Sequence, residues 1–229
     1  PAFQYEITTI IMHGLKALYQ DGETAIYYLM VENDNYEHPA MPEGVEEGIV
    51  KGMYKYSSRE VDKAKARVQL FGSGAIFNSV TRAQEILAEK YQIASDVWSV
   101  TSYTQLRRDA ATCERWNMLH PTEKPRKSYV EEVLDGVEGP FIAASDYVRA
   151  LGEQLTPYIP GDYYVLGTDG MGRSETREAL RRHFEVDAES ITIATLSRLA
   201  HAGVLSAKDV QDAISELGYD AEKIDPYFA

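Results

Sequence analysis

Four places in this chain hold residue types that could do chemistry. The densest is YYVLGTDGMGRSETREALRRHFEVD, Tyr163 to Asp187. Tyr163–Leu166 reads as a strand, and Gly167, Gly170 and Gly172 punctuate the loop after it. Ser174 reads as a helix N-cap, with Glu175 and Glu178 in the first turns and Arg181 and Arg182 near the end. A glycine loop between a strand and a helix N-terminus is a common anion site, because backbone N–H groups there lack partners. Two features oppose that use. Neither G-x-G-x-x-G nor a closing Gly-Lys-Ser/Thr is present, and Asp169 would repel a phosphate. The plainer reading is a turn that uses glycine for positive φ, with Ser174 capping the helix. Gly72-Ser73-Gly74 is a shorter turn with the same two readings.

The other candidates are single side chains. Cys113 falls on the apolar face of a helical pattern and reads as a small buried hydrophobe, with no base or cationic setting to activate it. No histidine pair has zinc-ligand spacing and no C-x-x-C occurs, so no metal ligands are expected. His38 lies in VENDNYEHPAMPEG, an irregular segment just past a continuous apolar run. Ligands of covered α/β sheets gather outside the carboxyl ends of strands, where a loop histidine can donate or accept a proton. An idle histidine in a polar loop is the alternative.

The elements that must position these residues can be read from periodicity. Ile7, Ile10, Ile11, Gly14, Leu15 and Leu18 mark an amphipathic helix ending near Asp21-Gly22. Ala25–Val31, AIYYLMV, is apolar on both faces and predicts a buried strand. Residues 32–65 are polar and rich in proline and glycine, and are read as a linker with at most short helical or strand pieces. Strands are then expected at Arg67–Phe71, Asp96–Thr101, Pro140–Ala144 and Tyr163–Leu166. Helices are expected around Ile76–Tyr91, around Leu106–Cys113, after Asp146 as a cap, and at Ser190–His201 and Ser206–Leu217. Alternating units of this length imply a mainly parallel sheet covered on both faces. Without further information this is a free-standing α/β interaction or nucleotide-binding module as readily as part of an enzyme.

Composition narrows the partners. An apolar fraction of 44% is that of a globular protein, and no run of eighteen apolar residues could span a membrane. The net charge of −13 disfavours nucleic acid and anionic membranes, which need neutralising cations. A lone cysteine fits a reducing, cytoplasmic compartment.

Three long segments together resemble one family. NDNYEHPAMPEG resembles the N-E-N-Y-x-H-P-x-M-P segment of homodimeric bacterial pyruvate dehydrogenases, the thiamine-diphosphate-dependent first component of the pyruvate dehydrogenase complex. VTSYTQLRRDAATCERWNMLHP and YYVLGTDGMGRSETREALRRHFEVDAESI resemble two further signatures of that family. The resemblance implies the C-terminal portion of a longer chain. Residues 1–45 would end its pyrimidine-binding domain with a last helix and strand, 46–65 would be the linker, and 66–229 would form a three-layer αβα domain of transketolase C-terminal type. The implied cofactors of the parent are thiamine diphosphate and Mg2+. Their motif, G-D-G…N-N, is not found here, so no cofactor-binding or metal residue is expected and the piece alone should be inactive. The implied partners are a second copy and the lipoyl acyltransferase component. One catalytic residue carries over, His38. Asp34 stands where the family usually has Glu, which bears on the hydrogen bonding around it.

Overall fold

The computed structural model describes every residue, Pro1–Ala229. Helix α1, Gln4–Tyr19, leads into residues 20–42, which form neither helix nor strand. Helix α2, Glu46–Lys51, and strand β1, Met53–Arg59, follow. Strand β2, Ala66–Gly72, opens the alternating part. It continues through α3, Phe77–Tyr91; β3, Ile93–Val100; α4, Tyr103–Leu119; α5, Tyr129–Val133; β4, Phe141–Ala144; α6, Arg149–Glu153; and β5, Tyr163–Leu166. Helices α7, Arg177–His183, α8, Ala188–His201, and α9, Ala207–Glu216, complete the chain.

The strands form one sheet in the order β1-β3-β2-β4-β5, parallel except for β1 against β3. Side chains alternate between two cores, as a period of two requires. Val68, Leu70, Val97, Ile142 and Ala144 point to one face, where α3 and α8 bring Val80, Ala83, Leu87, Ile191 and Leu199. Phe71, Trp98, Phe141, Ala143 and Val165 point to the other, where Tyr103 and Leu106 of α4 and Val130 of α5 meet them. Burial on both faces explains why β3 and β4 have no exposed residue. The expected three-layer α/β architecture with a mainly parallel sheet is therefore present.

Several helix ends follow from side-chain caps, with two revisions. Ser102 accepts from the Gln105 N–H, Asp187 from that of Ser190, and Ser206 forms a capping box with Asp209. Helix α7 is capped by Thr176, whose Oγ1 accepts from the Ala179 N–H, and not by Ser174, which lies exposed in the preceding loop. Helix α6 likewise starts later than expected, at Val148, and Asp146 caps nothing.

The strand expected at Ala25–Val31 does not form. Ile26 is 97% exposed and Tyr28 84%. An extended segment is a strand only when its N–H and C=O groups have a neighbour, and this run pairs with none of the five strands of the sheet. By contrast, the 46–65 segment carries α2 and the sheet-edge strand β1. Helix α1 is tied to that edge by Glu6, a fully buried carboxylate. It accepts from the Ala2 and Phe3 N–H groups, from Tyr54 Oη at 2.7 Å on β1 and from Ser99 Oγ at 2.6 Å on β3. Four donors offset the cost of taking the charge out of water.

Candidate functional site

The site is built where residues 32–39 cross the carboxyl end of the sheet. Strand β2 connects to β3 on one side, while β4 lies on its other side, so the ends of β2 and β4 flank a crevice at the point where strand order reverses. A cleft of about 320 Å³ opens there. Ile76 follows β2, Asp146 follows β4, Thr168 and Gly170 follow β5, and Arg177 and Arg181 come from α7.

The chain itself enters this crevice. Glu32 is exposed along its stem, but its Oε1 accepts from the Ala75 N–H at 3.2 Å, in the turn that starts α3. Its carboxyl faces Asp146, whose Oδ1 is buried with no hydrogen-bond partner. Burial, then the neighbouring Asp146 carboxyl, pushes Glu32 above the usual carboxylate range. Two residues on, Asp34 accepts from Arg181 Nη2 at 2.6 Å and lies 3.6 Å from Arg177 Nη1. The Arg181 hydrogen bond holds the Asp34 carboxyl below its ordinary range. Asn33 Oδ1 accepts from Arg177 at 2.9 Å. The Tyr36 hydroxyl donates to the Ala2 carbonyl.

His38 stands at the start of α1. Its Nδ1 accepts from the Gln4 backbone N–H at 3.1 Å, one of the first-turn amides that a helix leaves unpaired. The ring stacks on Tyr36 at 5.0 Å and meets Phe3 edge-on at 6.2 Å. An accepting Nδ1 assigns the neutral ring its hydrogen on Nε2. The ring therefore presents a directed Nε2–H that can donate a hydrogen bond to a group in front of it.

The glycine loop is a packing device. Gly170 alone of its three glycines has positive φ, at 98°, and a Cβ there would come 2.1 Å from the Pro226 carbonyl oxygen. Gly167 is needed for close approach, since its Cβ would meet the Tyr147 carbonyl oxygen at 2.5 Å. Asp169 accepts from the Arg149 N–H at 3.3 Å. Cys113 is half-buried and its thiol donates to the Lys127 carbonyl at 3.6 Å. Burial raises its pKa, the opposite of an activated thiolate.

The donor set does not suit thiamine diphosphate or its metal. No three His, Cys, Asp or Glu side chains converge as ligands, and the crevice sets the carboxyls of Glu32 and Asp146 beside its arginines. Sequence reasoning singled out His38, which does not line the crevice, and missed Glu32, Arg177 and Asp146, which do. The available signal was charge opposition, VENDNYE being acidic and RSETREALRR basic.

Comparison with known proteins gives two family matches. Residues 52–187 match the transketolase-like C-terminal domain, and residues 1–39 match the pyruvate dehydrogenase E1 component middle domain. The chain is 48% identical over 231 residues to the pyruvate dehydrogenase E1 component of Escherichia coli K12. It is 47% identical over 226 residues to that of Cupriavidus necator, and 46% over 229 to that of Pseudomonas aeruginosa. These alignments cover 99–100% of this chain and 25–26% of each relative, so the chain spans about a quarter of their length. Among solved structures, a Pichia stipitis transketolase with sedoheptulose-7-phosphate aligns at TM-score 0.47 and 15% identity, covering 74% of this chain and 22% of that one. Leishmania mexicana transketolase aligns at TM-score 0.42 and 18% identity, covering 66% and 18%. No helix is long and apolar enough to cross a membrane. The chain belongs to the transketolase-like C-terminal domain family, and its homologues along its whole length are pyruvate dehydrogenase E1 components.

Proposed function

We propose that this chain supplies one active-site loop and the supporting C-terminal domain of a pyruvate dehydrogenase E1 component. The whole enzyme decarboxylates pyruvate on thiamine diphosphate with Mg2+, then reductively acetylates the lipoyl group of the acyltransferase component. Residues 1–45 belong to the end of the pyrimidine-binding domain. The C-terminal domain takes in β1 as well as residues 66–229, and it supports a homodimer in the cytoplasm. Residues elsewhere in the longer protein hold the cofactor, because those here do not fit it, and the chain on its own is inactive.

The observation that carries a catalytic role for this chain is the geometry of His38. Its Nδ1 is committed to Gln4 and its ring is braced by Tyr36 and Phe3, so Nε2 keeps a fixed direction. In this reading the Nε2–H of His38 is hydrogen-bonded to the substrate or the lipoyl sulfur, and that proton is transferred during acetyl transfer only as Nδ1 releases the Gln4 N–H and takes a proton of its own. A fixed general acid–base residue contributes on the order of 10²–10⁴ in rate. The test is His38→Ala in the full-length enzyme. Lipoyl reductive acetylation is expected to fall by about that factor, while a rate within twofold of the parent's removes the role.

The nucleotide-binding alternative finds less support. The crevice that would take a nucleotide's phosphates is lined on one side by Glu32 and Asp146, and Ala75's N–H is already bonded to Glu32.

A further inference from the structure

The crevice at the strand-order reversal is the place where an α/β domain ordinarily takes a ligand, yet this chain fills it with its own acidic loop. We propose that the C-terminal domain recognises residues Glu32–Asp34 as an intramolecular anionic ligand, and that Arg181 is thereby a positioning residue for His38. The positioning role rests on the reading of His38 given above.

Three consecutive residues are anchored, one to a backbone N–H and two to arginine guanidinium groups. Glu32 lies on the Ala75 N–H at the turn into α3. Asn33 accepts from Arg177, and Asp34 takes a charge-assisted hydrogen bond from Arg181 with Arg177 nearby. The Arg181 and Asp34 side chains are only 25% and 17% exposed, so water screens their pairing less than that of most of the chain's ion pairs. From Asp34 the constraint runs through two residues of backbone to Tyr36, whose ring stacks on His38 and whose hydroxyl holds the Ala2 carbonyl. No helix or strand restrains residues 20–42. Side-chain anchors therefore do the work that a ladder of backbone bonds does elsewhere. Arg177 and Arg181 stand one helical turn apart and present both guanidinium groups to one segment.

A catalytic group displaced by about an ångström can lose on the order of 10² in rate. Three variants of the full-length enzyme test the inference: Arg181→Met, Arg181→Lys and Asp34→Asn. Arg181→Met and Asp34→Asn are each expected to lower kcat about tenfold or more, with KM for pyruvate changed less than about threefold. The double variant should be no slower than the worse single one, since both remove one interaction. Arg181→Lys should recover part of the loss. Amide hydrogen exchange across residues 30–38 should accelerate in Arg181→Met and stay unchanged in the sheet. Unchanged kcat in Arg181→Met, alongside a large loss in His38→Ala, overturns positioning by Arg181 while the His38 reading stands. Full activity of His38→Ala overturns the His38 reading and the positioning role together. Docking of the loop is judged separately by exchange, and unchanged exchange across residues 30–38 in Arg181→Met overturns it.

Discussion

Two apolar runs of this chain meet opposite fates. Ile93–Val100, IASDVWSV, contains two serines and an aspartate, yet each of its eight residues is buried. Ala25–Val31, AIYYLMV, contains no polar group beyond its tyrosine hydroxyls, yet it lies open to solvent. The difference is pairing. Strand β3 has β1 on one edge and β2 on the other, so all its backbone groups are satisfied. Its Asp96 is satisfied too, by Arg67 at 2.8 Å, Ser58 at 2.6 Å and Gln69 at 3.1 Å. The 25–31 run finds no neighbouring strand, and hydrophobicity alone cannot bury a segment whose N–H and C=O groups would go unpaired. Its continuation is restrained by side-chain contacts alone, among them Glu32 to Ala75, Asn33 and Asp34 to the arginines of α7, and His38 to Gln4.

That contrast can be broken or sharpened by measurement. The largest expected effect is in β3. Trp98→Ala removes a buried indole whose Nε1 donates to Gln69 at 2.8 Å, and should cost about 3–5 kcal/mol in chemical unfolding of the chain. A loss under about 1 kcal/mol would mean that the sheet is not the cooperative centre of the molecule.

A smaller effect, at most about 1 kcal/mol, is expected from pH at the acidic loop. Asp34 has its folded pKa lowered by Arg181, so its contribution is complete above its ordinary value of 3.8 and is lost as pH falls through the lower folded value. Glu32 works in the other direction. Burial and Asp146 raise its folded pKa, so its contact is strongest below the ordinary 4.5 and weakens as pH rises through the folded value. Protection of residues 24–42 from brief proteolysis should therefore be greatest in mildly acid solution and fall on both sides. A protection that rises steadily to pH 8 would show that Glu32 is not held by burial.

The smallest effect is expected from Ile26→Ser, within about 0.5 kcal/mol for the chain Pro1–Ala229, because the side chain is 97% exposed. In a full-length enzyme, where the proposal gives this run a neighbouring strand, the same substitution should cost more than about 1 kcal/mol. Equal effects in both would remove that neighbour from the proposal.

Particular residues show how much was legible. The strands β2, β4 and β5 and the helices α3, α8 and α9 follow from local pattern, since apolar spacing and caps such as Ser206 with Asp209 act within a few residues. Thr176 displaced Ser174 as a cap because both hydroxyl residues could cap, and the position of the loop behind them decided which did. His38 was legible as a residue of an irregular loop, although the strand expected just before it, Ala25–Val31, does not form. Its bond to Gln4 was not, because thirty-four positions separate the two.

Sequence alone determined the alternation of strand and helix, the two-faced apolar character of the sheet and the resemblance of its signature segments, because each depends on near neighbours or on residue identity. Tertiary structure alone decided that the glycine loop packs against Pro226 instead of holding an anion. It alone decided that Ala25–Val31 stays unpaired, and that the arginines of α7 grip Asn33 and Asp34. These are contacts between residues far apart in the chain. Their strength depends on burial and mutual geometry, which exist only once the sheet has brought the partners together.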